Sequence, residues 1–101
     1  MKIIKQFPDY GVTELGQVYS FKTKRYLKAG FCRGYAYLSL MKGKAKHMVR
    51  RARLVYEAFK GKIPKGYTID HLNGVKDDDR LVNLDCCTLR QNIKRFWRGL
   101  G

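Results

Sequence analysis

Hydrophobic and polar positions alternate most clearly in GYAYLSLM. Tyr35, Tyr37 and Ser39 fall on one face, and Ala36, Leu38 and Leu40 on the other. That period of two predicts a half-buried strand. Lys42–Gly43–Lys44 supplies a turn, and AKHMVRR reads as the returning strand. Upstream, VYSFKT after Gly16 is a short strand by composition. Residues 10–51 therefore read as an antiparallel β-region, with its sheet over 15–51. In ARLVYEAFKG the period changes. Leu54, Val55, Ala58 and Phe59 recur at helical spacing, so residues 52–61 predict a helix ended by Gly61. YTID and LDCC read as two further strands around a polar, turn-rich segment at 72–83. Thr88 and Gln91 form a capping box. The helix they open places Leu89, Ile93, Phe96 and Trp97 on one face, a core face in this reading, and stops at Gly99. Residues 67–99 thus form a β-loop-β-α unit. The fold class is α+β in a single domain: a small N-terminal antiparallel β-sheet, a linking helix and this C-terminal unit. No repeat or linker divides the chain.

Charge changes the picture. The 101 residues carry 22 Lys or Arg against 8 Asp or Glu, a net charge of +14. That excess exceeds what solubility needs and predicts a polyanionic partner, nucleic acid before an anionic membrane surface. No apolar run approaches the roughly 20 residues that span a bilayer, and Pro8 breaks the N-terminal stretch too early for a signal peptide. Three cysteines without a CxxC pattern predict reduced thiols in a cytoplasmic protein, with Cys86 and Cys87 as strand packing rather than metal ligands.

The charge is also unevenly placed. Residues 15–66 hold fourteen Lys or Arg and one acid, Glu57, whereas residues 70–85 hold five acids, Asp70, Asp77, Asp78, Asp79 and Asp85. Lys22, Lys24, Arg25, Lys42, Lys44, Lys46, Arg50, Arg51 and Arg53 are candidate phosphate contacts on double-stranded DNA. His47 belongs to the strand surface. An acidic island in a basic chain is commonly a solvated loop, but beside a polyanion it gains a use if a divalent cation sits there.

Asp70–His71 opens that island at the end of a strand. If the C-terminal helix crosses the hairpin, Asn92 in its first turn meets Asp70 and His71. Asp70 and the Asn92 amide oxygen suit Mg²⁺ or Mn²⁺, which needs only one or two protein oxygens. His71, titrating near neutrality, suits a general base for an attacking water. An amide oxygen such as that of Asn83 would fix its ring.

IDHLNGVKDDDRLVNLDCCTLRQN resembles the DH-x-NG-x-x-x-DNR-x-x-NL-x-x-x-T-x-x-EN signature of phage and intron-encoded HNH endonucleases. YGVTELGQVYSFKTKRYLK resembles the β-region these proteins often carry, and ARLVYEAF their VHRLVAxAF helix, so the resemblance covers residues 10–98. It implies a ββα-metal unit at 67–99 that leaves a 5′-phosphate on cut DNA. Asp70 and Asn92 would hold one divalent ion, His71 would be the general base, and Asn83 would orient His71 and staple the loop. Three positions depart: Asp79 replaces the Asn of DNR, Ala52 the His of VHRLV, and Gln91 the Glu of EN. The first adds charge near the metal, to tune or spoil the loop. The chain also ends soon after the unit, which implies low sequence specificity or specificity supplied by a protein partner. Nothing in the sequence argues for a symmetric dimer. The alternative is a catalytically inactive HNH-fold module that binds DNA or docks on a protein, favoured by Asp79 and Ala52.

Overall fold

The computed structural model describes residues 1–88 and 90. Its elements in chain order are β1 Lys2–Ile4, β2 Phe7–Val12, β3 Val18–Ser20, β4 Arg25–Tyr26, β5 Gly30–Cys32, β6 Tyr35–Lys42, β7 Ala45–Arg50, α1 Arg51–Lys60, β8 Tyr67–His71, a single 3-10 turn Leu81–Asn83, and β9 Leu84–Thr88. Every strand pairing is antiparallel. The strands form three sheets, β1-β2-β3-β4, β5-β6-β7 and β8-β9.

The period-two stretch becomes β6. Ala36, Leu38 and Leu40 are buried, and Tyr35, Tyr37 and Ser39 face outward. Burying a leucine in this way contributes about 1.5–3 kcal/mol. The returning strand pairs Leu38 with Val49 and Leu40 with His47, closed by a two-residue turn at Gly43–Lys44 in which Gly43 has φ 62°. Glycine meets that conformation without the Cβ penalty other residues carry.

The N-terminal region is more divided than the sequence suggested. Instead of one sheet over 15–51, β1 to β4 form one sheet and β5 to β7 another, and the first strand begins at Lys2. Strands of two or three residues are too short to display a period. Pro8 is accommodated beside the irregular register between β1 and β2, where Ile4 pairs with Phe7.

α1 follows β7 without a linking residue and begins one position earlier than expected, at Arg51. Ala52, Leu54 and Val55 are buried, while Ala58 and Phe59 pack more loosely against the same core. Gly61, at φ 101°, caps the end by donating its N–H to the Glu57 carbonyl. The core joins Val12 and Val18 of the first sheet, Leu38 and Leu40 of the second, Leu54 and Val55 of α1, and Ile69 and Leu84 of the β8-β9 hairpin. One shared core therefore holds all three sheets in fixed relation. The departure at Ala52 is a packing position within it, only 3% exposed.

The 72–83 loop is clamped from two sides. Leu81 donates its N–H to the Glu14 carbonyl at 2.7 Å, and Lys76 Nζ donates to the Arg33 carbonyl at 3.3 Å. Gly16 lies against the Asp79 backbone so closely that a Cβ there would sit 3.0 Å from the Asp79 carbonyl oxygen. The capping-box helix, with Leu89, Ile93, Phe96, Trp97 and Asn92, lies outside the described residues apart from Thr88 and Arg90. Among the described residues no helix is long and apolar enough to cross a membrane.

Candidate active site

β8 runs one residue further than expected and ends on His71, paired with Leu84 of β9. Side chains alternate along the strand. Ile69 and His71 are buried, whereas Thr68 and Asp70 are half-buried. Asp70 and His71 thus leave the same strand end on opposite faces. Asp70 lies directly across the hairpin from Asp85, and both residues take part in further interactions.

His71 Nε2 lies 2.6 Å from Asp79 Oδ1 in a buried contact. The other oxygen, Asp79 Oδ2, accepts from Arg51 Nε at 2.9 Å, and Arg51 Nη2 donates to the Asp77 carbonyl at 2.9 Å. Asp79 is only 2% exposed. A carboxylate held by a guanidinium is an acceptor only, so His71 donates from Nε2. In a neutral imidazole so bonded, the lone pair is on Nδ1.

The loop around this chain of contacts is knit by Asn83. Its Oδ1 accepts from the Asn73 N–H at 3.0 Å, and its Nδ2 donates to Asn73 Oδ1 at 2.9 Å and to the Asp78 carbonyl at 2.8 Å. The Leu72 N–H in turn donates to the Asn83 carbonyl. Asp78 receives both Arg80 Nε and Nη2 at 2.7 Å and Asn73 Nδ2 at 2.8 Å. Hydrogen bonds from Arg80, then from Asn73, hold the Asp78 carboxyl well below the usual carboxylate range. Among the described residues, no buried side-chain nitrogen or oxygen lacks a hydrogen-bond partner.

Three sequence expectations change here. The oxygen that meets His71 belongs to Asp79, not Asn83, whose amide is spent on Asn73 and Asp78. Asp79 does not spoil the loop; it is the buried joint between His71 and Arg51. Arg51, expected on phosphate, is turned inward, its side chain 22% exposed. The other expected phosphate contacts divide between two sheets. Lys22, paired with Asp9 at 3.5 Å, Lys24 and Arg25 lie at the β3–β4 turn, and Lys42, Lys44 and Lys46 are exposed on the β6-β7 hairpin. Arg53 lies 3.6 Å from Glu57 on α1. Arg50 stacks 4.1 Å from the Tyr35 ring centre and donates to the Tyr37 hydroxyl at 3.1 Å. Tyr35 also lies 5.9 Å from the His71 ring, with Lys76 Nζ 5.2 Å from the Tyr35 ring centre. Two cations therefore flank the tyrosine that touches His71. Sequence reasoning missed this cluster because its members come from β6, β7 and the loop.

Metal donors are sparse. The described residues contain no group of three or more His, Cys, Asp or Glu side chains placed to hold an ion. A hard cation that keeps most of its waters requires only one or two protein oxygens, and Asp70 has the right chemistry at the strand end. A cavity of about 570 Å³ lined in part by Leu27, Phe31, Tyr37 and Met48 opens on the β5-β7 face rather than at His71.

A strand ending in Asp-His, a loop stapled by an Asn and a second strand in register lie in the order of the HNH-like signature in the sequence. Residues 49–94 match the family model described as HNH endonuclease. The whole fold is similar to a solved structure, "DNA binding and cleavage by the HNH homing endonuclease I-HmuI". The match has a TM-score of 0.87 and 31% identity and covers 98% of this chain. The chain spans 58% of the length of that protein's chain. No curated protein matches the sequence.

Proposed function

We propose that the chain is a metal-dependent endonuclease that hydrolyses phosphodiester bonds in double-stranded DNA, with His71 as general base. Asp70 and Asn92 would hold one divalent ion, Mg²⁺ or Mn²⁺. The observation that carries the reading is the buried contact of His71 Nε2 with Asp79 Oδ1, which fixes the imidazole at the end of the strand beside Asp70. The 31% identity to a DNA-binding and cleaving homing endonuclease supports DNA as the substrate.

The division of labour follows from the residues. His71 takes the proton of the attacking water at Nδ1, and a positioned base of this kind contributes about 10²–10⁴-fold in rate. When bound, a divalent ion supplies polarisation of the phosphate and charge stabilisation at the leaving oxygen. Arg50 and Lys76, flanking Tyr35, favour a phosphate close to His71 through their charge. Lys42, Lys44 and Lys46 extend the cationic surface along the hairpin and would grip neighbouring phosphates without reading sequence. Asn83 keeps the loop that carries Asp79 in one conformation.

The inactive-module alternative rested on Asp79 and Ala52. Asp79 is bonded to His71, and Ala52 fills the core, so neither residue speaks for it. The test is incubation of supercoiled plasmid with the protein in Mg²⁺, Mn²⁺ or EDTA. The reading expects nicked or linear product with a metal and none in EDTA. Intact plasmid under all three conditions overturns it.

A further inference from the structure

We propose that Asp79 and Arg51 are positioning residues that set the tautomer and ring orientation of His71, so that Nδ1 is the basic nitrogen. The proposal deepens the endonuclease reading and rests on it for its catalytic meaning. Its physical content, the state of one imidazole ring, is independent of cleavage.

The arrangement holds the carboxylate from several directions. Asp79 Oδ1 meets His71 Nε2 at 2.6 Å, and Asp79 Oδ2 meets Arg51 Nε at 2.9 Å. Arg51 cannot swing away freely, because its Nη2 is tied to the Asp77 carbonyl and its backbone opens α1. The Asp79 backbone is pressed against Gly16, and Leu81, two residues on, is bonded to the Glu14 carbonyl. The Tyr35 ring stands 5.9 Å from the imidazole. With the carboxylate fixed and fully used, an imidazole beside it has one satisfactory state: the Nε2 proton donated to Oδ1.

The pair has a consequence that packing alone would not produce. In Asp79→Asn the side chain carries one oxygen and one NH₂ group. Arg51 Nε is a donor and attracts the oxygen, so the NH₂ group faces His71. Nε2 must then accept, and the proton moves to Nδ1, the nitrogen that should be bare. Removing the donor with Arg51→Met releases the amide to turn its oxygen toward His71. The second substitution should therefore repair the first.

The experiment combines long-range ¹H–¹⁵N correlation spectra of the imidazole, recorded well above the ordinary histidine range, with kcat and KM for plasmid cleavage and a melting curve for each variant. Wild type and Arg51→Met should show the Nε2–H tautomer. Asp79→Asn should show Nδ1–H and lose up to about 10⁴-fold in kcat with little change in KM, the size of loss seen when a catalytic histidine is held in the wrong tautomer. Asp79→Asn/Arg51→Met should regain Nε2–H and part of the lost kcat, although its melting midpoint falls further. A merely structural pair predicts the reverse, a double variant worse than either single one. The proposal is overturned if wild type is mainly Nδ1–H, if Asp79→Asn keeps Nε2–H, or if the double variant shows no recovery of the tautomer. Should wild type fail to cut while the tautomers behave as described, the endonuclease reading falls and the positioning stands. If wild type cuts and the tautomers do not respond, the positioning falls alone.

Discussion

The β6-β7 hairpin and the 72–83 loop treat charge in opposite ways. On the hairpin, Lys42, Lys44 and Lys46 are exposed and, among the described residues, form no ion pair. In the loop, Asp78 and Asp79 are each bonded to an arginine, and Asn73 and Asn83 exchange hydrogen bonds with one another. The hairpin holds its charge available for a polyanion. The loop spends its polar groups internally, so that one imidazole faces a defined environment. Under the proposed function, binding and chemistry fall to regions with different physical requirements: unpaired charge for attraction, saturated bonding for orientation.

The sharpest break of that contrast is Asn83→Ala. It removes three side-chain hydrogen bonds from a residue only 6% exposed, and a loss of about 2–3 kcal/mol in unfolding free energy is expected. Denaturant melts measure it. Binding to plain duplex DNA should survive at temperatures where the variant is folded, because the hairpin is untouched.

The complementary change, Lys42→Ala with Lys44→Ala and Lys46→Ala, should leave stability within about 0.5 kcal/mol, as for exposed positions generally. It should instead flatten the dependence of log Kd on log salt by about 2.7, close to 0.9 for each of three phosphates. A salt series of DNA binding reads this out, and an unchanged slope would take the hairpin out of the interface.

The smallest effect concerns Asp78. Its carboxyl is held below the ordinary value of 3.8 by Arg80 and Asn73. Its contribution to stability is therefore complete above that value and is lost as pH falls through the lower folded value. Asp78→Asn should melt slightly below wild type at neutral pH. The gap should narrow only in strong acid, and melting curves over an acid series check the sign.

Legibility in the sequence followed the range of the interactions. The eight-residue strand β6 and the ten-residue helix α1 were readable because each repeats its period more than once. The Asp70–His71 pair at a strand end was readable as a local motif. The stapling role expected of Asn83 agrees with its bonds to Asn73 and Asp78, but its expected contact with His71 belongs to Asp79. β1, β4 and β5 span two or three residues and could not announce themselves. The Arg51–Asp79 pair was hidden for a different reason. Its members stand 28 positions apart, and each lies in a run of like charges, so each reads as surface until burial is known. Composition thus located the acidic island but could not distinguish the buried Asp79 from the exposed Asp77 beside it.

The central claim is that a buried, oriented His71 performs chemistry which the cationic hairpin cannot. The direct measurement compares wild type with His71→Ala in Mg²⁺ or Mn²⁺, scoring plasmid cleavage and DNA retardation in the same samples. The account predicts that the variant retards DNA as wild type does while cleavage falls by about 10²–10⁴-fold. A His71→Ala protein that cuts at the wild-type rate would contradict it.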